Sequence, residues 1–141
     1  MPNSTDARGT LAEAGFVFLS LLNGLSVWKP IDPQLKFDFV VERAAKQFKV
    51  QVKCAWREGA VHRVGLTKQR RSARGTTRKS YSKGDFDILA VFNVEEREFW
   101  FFPAEVALKK AVIWCRTSRS QCPHGFDTAA YWKRWDLFLG V

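Results

Sequence analysis

The chain of 141 residues fits one domain, and its 46% hydrophobic content, with six Trp and twelve Phe, excludes disorder of the whole. No apolar run reaches the length of a membrane span, the first residues lack a signal-peptide layout, and three cysteines form no even disulfide framework; the expectation is a soluble, intracellular protein, cytoplasmic or nucleoid-associated, with no membrane partner. The net charge of +9 is concentrated, because residues 56–84 carry nine basic side chains against one acid, Glu58, which makes nucleic acid the leading partner.

A first helix is expected over residues 10–23, where Leu11, Ala14, Val17, Phe18, Leu21 and Leu22 form a broad apolar stripe at helical spacing and Gly24 supplies a stop. A short strand at 25–28 follows, and Pro30 and Pro33 mark a loop. Strands are expected at 36–42 and 47–55, joined by Arg43-Ala44-Ala45-Lys46 as an antiparallel hairpin. On the first, Phe37, Phe39 and Val41 form the apolar face, which leaves Asp38 on the opposite one. On the second, Val50, Val52 and Cys54 face a core while Gln51 and Lys53 point the other way.

Residues 57–84 read as a long polar loop or extended ribbon punctuated by Gly59, Gly65, Gly75 and Gly84. Its cations, Arg57, Arg63, Lys68, Arg70, Arg71, Arg74, Arg78, Lys79 and Lys83, are candidate DNA contacts; the alternative is a solvated basic loop. Strands at 87–93 and 98–103 with a turn at 94–97, a short helix after Pro103, a strand at 112–115 and an aromatic-rich helix at 128–137 complete the order. The aromatic group Tyr131, Trp132, Trp135 and Phe138 has helical spacing and reads as core or subunit interface. There is no internal repeat. The pattern predicts an α/β or α+β fold, a central mixed sheet flanked by helices, as one domain over 1–141 with a basic loop or ribbon at about 56–84.

If the two strands are hairpin neighbours, Asp38, Gln51 and Lys53 bring a carboxylate, an amide oxygen and an amine to one sheet edge. Phosphodiester hydrolysis needs charge neutralisation on the phosphate, an activated water and a stabilised leaving oxygen, and magnesium contributes to all three. Magnesium takes oxygen ligands and keeps several waters, so one or two carboxylates plus neutral oxygens hold it. Asp38 is the expected primary ligand, the Gln51 side-chain oxygen a weaker one, and the Val52 carbonyl another. Glu13, on the polar side of the first helix, is a further acid for the metal or its water. Lys53 is expected to stabilise charge on the phosphorane or orient the attacking water.

Plainer readings stand beside these. Gln51 and Lys53 also fit a solvent-facing strand, and Asp38 fits a polar residue paired with a lysine. Asp85 and Asp87 are candidates to support the site, with strand capping the commoner role for Asp87. Cys115, Cys122 and His124, completed by Cys54 or His62, would make a zinc site, but their spacing matches no compact zinc motif. The segment holding Arg116 and Arg119 reads better as a second phosphate-contacting loop.

Glu13 on a first helix, a proline followed by Asp38, the Gln51-Val52-Lys53 strand, Tyr81, the run from Gly84 and Asp85 through Asp87 to Phe92, the strand Phe99 to Pro103 and the terminal Ala129-Ala130-Tyr131 occur in an order that resembles the PD-(D/E)XK nuclease superfamily. Within it the chain is similar to the small group I intron-associated homing endonucleases first known from cyanobacteria, in which an amide replaces the usual acid, here at Gln51. The resemblance implies a restriction-endonuclease-like core with Glu13, Asp38, Gln51 and Lys53 as the active site. It also implies Mg2+, with Mn2+ able to substitute, as cofactor for site-specific double-strand cleavage of DNA. A homo-oligomer, dimer or tetramer, would let so small a subunit span a long target. The alternatives are a Holliday-junction resolvase or structure-selective repair nuclease on the same core, and a non-catalytic DNA-binding module in which Gln51 marks a decayed site.

Overall fold

The first helix, α1 (Thr5–Leu22), begins five residues before the apolar stripe requires, because its start is set by a cap. Ser4 adopts an extended backbone and its hydroxyl accepts the Ala7 N–H at 3.1 Å, satisfying one of the helix's orphan donors. At the other end Gly24, at φ +76°, lets its N–H reach the Leu21 carbonyl while the Leu25 N–H reaches that of Ser20, both at 3.0 Å. These two bonds make a Schellman stop. The computed structural model describes residues 4–72, 75–118 and 126–139, with backbone alone over 67–72 and 75–80. No described helix is long and apolar enough to cross a membrane.

The main sheet has five strands: β1 (Ser26–Trp28), β2 (Phe39–Arg43), β3 (Lys46–Cys54), β8 (Ile88–Asn93) and β9 (Glu98–Pro103), in that spatial order. All neighbours are antiparallel except β3 and β8, which run parallel and pair Val50 with Ile88 through Cys54 with Phe92. The sheet is therefore mixed, as expected. The excursion between its two parallel strands carries the basic segment. That segment folds as ribbon: β4 (Trp56–Glu58) pairs with β5 (Val61–Gly65), and β6 (Thr67–Ser72) pairs with β7 (Gly75–Ser80). A second sheet has the order β10 (Val112–Cys115), β5, β4.

Both faces of the main sheet are covered, so all six residues of β8 are buried and its sequence reads as a continuous apolar run. On one face α1 lays Phe16 among Phe39, Phe99, Trp135 and Phe138, with ring centroids 5.4–6.4 Å apart. Val41, Val50, Val52, Ala90 and Phe101 complete that core. On the other face Leu89, Val91, Trp100 and Phe102 pack against Val64 of β5, Ile113 of β10 and Ala107 of α2 (Ala104–Ala107).

Three expectations are corrected. The buried face of α1 is Ala12, Phe16 and Ser20, whereas most of the expected stripe points outward: Leu11, Phe18, Leu21 and Leu22 are 36%, 65%, 60% and 71% exposed. A strand-first core needed only a narrow contact, and Gly15 shows how tight it is, since a Cβ there would meet the Phe92 ring at 3.1 Å. Phe37 and Phe39 do not share a face: β2 starts at Phe39, which joins the first core, while Phe37 packs against the second. The closing helix at 128–137 is instead a single 3-10 turn, Thr128–Tyr131, and a final α3 (Asp136–Leu139). Between them Trp132 bridges to Trp100 and Lys133, at φ +58°, donates its N–H to the Phe99 carbonyl at 2.9 Å. Pairing with β9 therefore overrides the helical pattern.

The β2–β3 turn places Ala44 at φ 51° and Ala45 at φ 65°, left-handed conformations that cost a Cβ-bearing residue. A type I′ turn of this kind favours Asn-Gly. The double substitution Ala44→Asn with Ala45→Gly is expected to raise stability by about 1 kcal/mol in urea unfolding.

Candidate active site

The site is built around β3, whose two edges are pinned by two aspartates. Asp38 lies one residue before β2. Its backbone N–H donates to the Val50 carbonyl at 2.8 Å, although Val50 is already the register partner of Phe39, so two residues face one in the manner of a bulge. That extra residue turns Phe37 to the second core. It also swings the Asp38 side chain onto β3, where Oδ2 accepts the Val52 N–H at 2.8 Å. A carboxylate thus takes the place of the next rung of the ladder. Residues' N–H and C=O groups point to one edge together, so the Val52 carbonyl faces the edge that Asp38 occupies.

Asp87 does the corresponding work on the opposite edge. Its Oδ2 accepts the Lys49 N–H at 2.8 Å and its own N–H donates to the Lys49 carbonyl at 2.8 Å, locking the entry of the parallel pair. Strand capping is its observed role. Asp85 holds a turn, accepting the Ser82 N–H at 2.7 Å, with the Lys36 ammonium 3.9 Å away.

Gln51 and Lys53 share a face, opposite Val50 and Val52, but that face is not open to solvent along its length. Gln51 is only 7% exposed and Lys53 is half-buried. The plain solvent-facing reading of this pair therefore does not hold for Gln51. The Lys53 ammonium sits 5.5 Å from the centroid of the Tyr81 ring. Tyr81 in turn packs edge-on against Phe86 at 5.4 Å, and its hydroxyl is buried without a hydrogen-bond partner among the described residues. Burial first, then the carboxylates of Asp38 and Asp85, push its phenol up to about 12. Tyr81 stays neutral at working pH.

Glu13 projects from α1 into the same field. Burial, and after it the Asp38 carboxylate, raise its pKa above the ordinary carboxylate range, against a lowering from the Lys29 ammonium 4.0 Å away. The two acids are thus close enough to repel each other. A divalent cation would relieve that repulsion, and two carboxylates with the Val52 peptide oxygen on the Asp38 edge are donors that suit a hard cation. Glu13, Asp38, Val52 and Lys53 are gathered at one end of β3, with Gln51 beside them on the Lys53 face. Tyr81, under the Lys53 ammonium, and Arg8 of α1, which lines a cleft together with Lys53, are the neighbours that sequence reasoning passed over as site residues. Only their tertiary proximity reveals them, although Tyr81 carried part of the family likeness.

The basic positions are spread along the ribbon. Arg57 is exposed and donates to the Gly59 carbonyl at 3.0 Å; Arg63 lies 3.7 Å from Glu58 and over the Trp114 ring; Lys83 is exposed. Lys68 faces Lys79, Gln69 faces Arg78, Arg70 faces Thr77 and Arg71 faces Thr76 in the β6–β7 register. Arg116 anchors its loop through its backbone, to Thr128 and to the Trp100 indole. Arg74, Arg119, Cys122 and His124 lie outside the described residues. Of the zinc alternative's other members, Cys54 packs against the first core, Cys115 is buried in the second, and His62 lies 3.0 Å from Glu95. Cys54 and Cys115 are thus on opposite faces of the sheet.

Among curated proteins none matches the chain. The chain is similar in structure to the bacterial homing endonuclease I-Ssp6803I, with a TM-score of 0.87 and 26% identity over 98% of this chain and 95% of that one. A family model described as PD-(D/E)XK endonuclease matches residues 3–135, nearly the whole chain. With a mixed sheet that brings an aspartate, an amide and a lysine together around one strand, the chain belongs to the PD-(D/E)XK endonuclease family.

Proposed function

We propose that the protein is a site-specific homing endonuclease that makes double-strand breaks in DNA by magnesium-dependent phosphodiester hydrolysis. The observation that carries this reading is the Asp38 carboxylate held on the Val52 amide beside Glu13 and Lys53, in a chain of a nuclease family and with the overall shape of a homing endonuclease. DNA is the substrate the family implies, and the basic ribbon supplies the charge to hold it.

Asp38 and Glu13, with the Gln51 side-chain oxygen and the Val52 carbonyl, would hold the divalent cation, Mg2+ or in its place Mn2+. When bound, the cation neutralises phosphate charge and acidifies water. The remaining work belongs to the chain. Lys53, braced over the Tyr81 ring, directs its ammonium at the charge that develops on the phosphoryl oxygens. Its half-buried position strengthens that interaction relative to bulk water. Tyr81, neutral and with its hydroxyl buried, adds no competing negative charge beneath the ammonium. Arginines of the ribbon mix phosphate contacts with guanine readout in the major groove.

Cutting both strands of a long target calls for more than one copy of so small a subunit. The outward apolar face of α1, with Phe18, Leu21 and Leu22 each more than half exposed, supports a contact between copies, as a dimer or tetramer.

Two outcomes are expected. Asp38→Asn keeps an acceptor for the Val52 N–H, and Lys53→Met keeps the stem. Each should lower cleavage of linear duplex by about 10²–10³-fold or more while DNA affinity stays near wild type, and EDTA should abolish cleavage by the wild type. Wild-type rates in either variant contradict the assignment, and preference for a four-way junction regardless of sequence favours a resolvase instead. Phe18→Glu with Leu22→Glu should sediment as a monomer where the wild type sediments as an oligomer; unchanged sedimentation contradicts the α1 contact.

A further inference from the structure

Beside Lys53 a cleft of about 430 Å³ opens between the first turns of α1 and the strands β4 and β5. It is continuous with the candidate active site, because Val52, Lys53 and Cys54 form one of its walls. Across from them the Arg8 guanidinium lies over the Trp56 ring, 3.3 Å from its centroid. Arg8 and Cys54 line the same cleft, which places the guanidinium beside the end of β3.

Charge decides what such a cleft accepts. Arg8, Lys53 and Arg63 line it against a single acid, Glu58, and Glu58 lies 3.7 Å from Arg63. At the far end Arg63 is matched by that exposed acid, and Arg8 and Lys53 are the cations that the lining places next to the end of β3. A guanidinium stacked on an indole uses its π face there, while its N–H groups lie in its own plane and point outward past the ring, the geometry that donates in parallel to phosphate oxygens. Stacking also fixes a long side chain in advance, so less rotamer freedom is lost when an anion docks.

We propose that this cleft seats the sugar-phosphate backbone flanking the scissile phosphodiester, with Arg8 braced on Trp56 as the clamp on a neighbouring phosphate. The inference rests on the reading of the chain as a DNA endonuclease and extends it to residues outside the basic ribbon. Arg8 is then a substrate-positioning residue, and Trp56 acts through it. Lys53 addresses the reacting phosphate and Arg8 the one beside it, so the strand's path over the end of β3 is defined by two cations on two elements.

The test is binding of a fluorescein-labelled random-sequence duplex of about 30 base pairs in EDTA, across a range of salt, so that cleavage does not enter the readout. Arg8→Gln is expected to weaken affinity roughly tenfold and to reduce the slope of log K against log salt by about 0.9, the loss of one phosphate contact. Trp56→Leu keeps the charge and should keep the slope while weakening affinity, and Arg8→Lys should keep the slope as well. Arg43→Gln serves as the control for generic charge, since β3 carries that turn roughly 26 Å from Cys54 at about 3.3 Å per residue. An Arg8→Gln variant with wild-type affinity and slope overturns the proposal, as does an equal effect from Arg43→Gln. A wild type that retains no duplex overturns it together with the DNA reading, whereas a wild type that binds this duplex and, with magnesium, cuts no member of a library of long target sequences contradicts the endonuclease reading alone.

Discussion

The hydrogen bond from the Val52 amide to the Asp38 carboxylate is the constraint on which the rest of the site depends. A charge-assisted bond of this kind contributes about 1.5–3 kcal/mol, and leaving the buried-edge amide unpaired would cost a similar amount. It exists because β2 departs from β3 at that point, through a doubled residue opposite Val50. Departure of β2 exposes peptide groups of a central strand, which a sheet interior normally consumes. The departing chain returns one carboxylate to satisfy the N–H and leaves a carbonyl facing the same space. Asp87 secures the other edge of the same strand, so β3 is held from both sides while its far end is open to a ligand.

Burial of the sheet on both faces follows a separate logic with a consequence for the site. Were the second face open, Gln51 and Lys53 would be ordinary surface side chains. The basic excursion between β3 and β8 instead folds back as β4 and β5, and with β10 it roofs that face. Gln51 is thereby buried and Lys53 is left half-buried at the rim over Tyr81. The strongly basic segment is thus also the segment that lowers the dielectric around the lysine.

Much of this was legible in the residues. That Gln51 and Lys53 share one face of β3 followed from period-two alternation, because strand geometry fixes side-chain faces without reference to the rest of the molecule. Asp38, by contrast, reaches β3 through the doubled residue opposite Val50, which alternation does not give. The mixed sheet was legible from the order of the elements, and the segment at 57–84, read as a polar loop or a ribbon from its polarity and glycines, folds as ribbon. Other elements were not. Apolar residues on α1 outnumber what its narrow contact with the sheet can bury, and periodicity does not distinguish a core face from a face left outside. The twist that separates Phe37 from Phe39 arises from one extra residue, which no pattern announces. Residues 128–137 carry helical spacing, yet the Trp132 and Lys133 backbone finds better partners on β9. Arg8 and Tyr81 matter through what lies across from them, which is a property of the fold alone.

A manganese-soaked crystal of the protein bound to its DNA target, read by anomalous difference density, tests the central claim most directly. The account predicts a peak in contact with an Asp38 carboxylate oxygen and the Val52 carbonyl oxygen, on the edge of β3 that β2 leaves. Saturating manganese with no peak at that edge, or a metal held elsewhere with a scissile phosphate beside it, would contradict it.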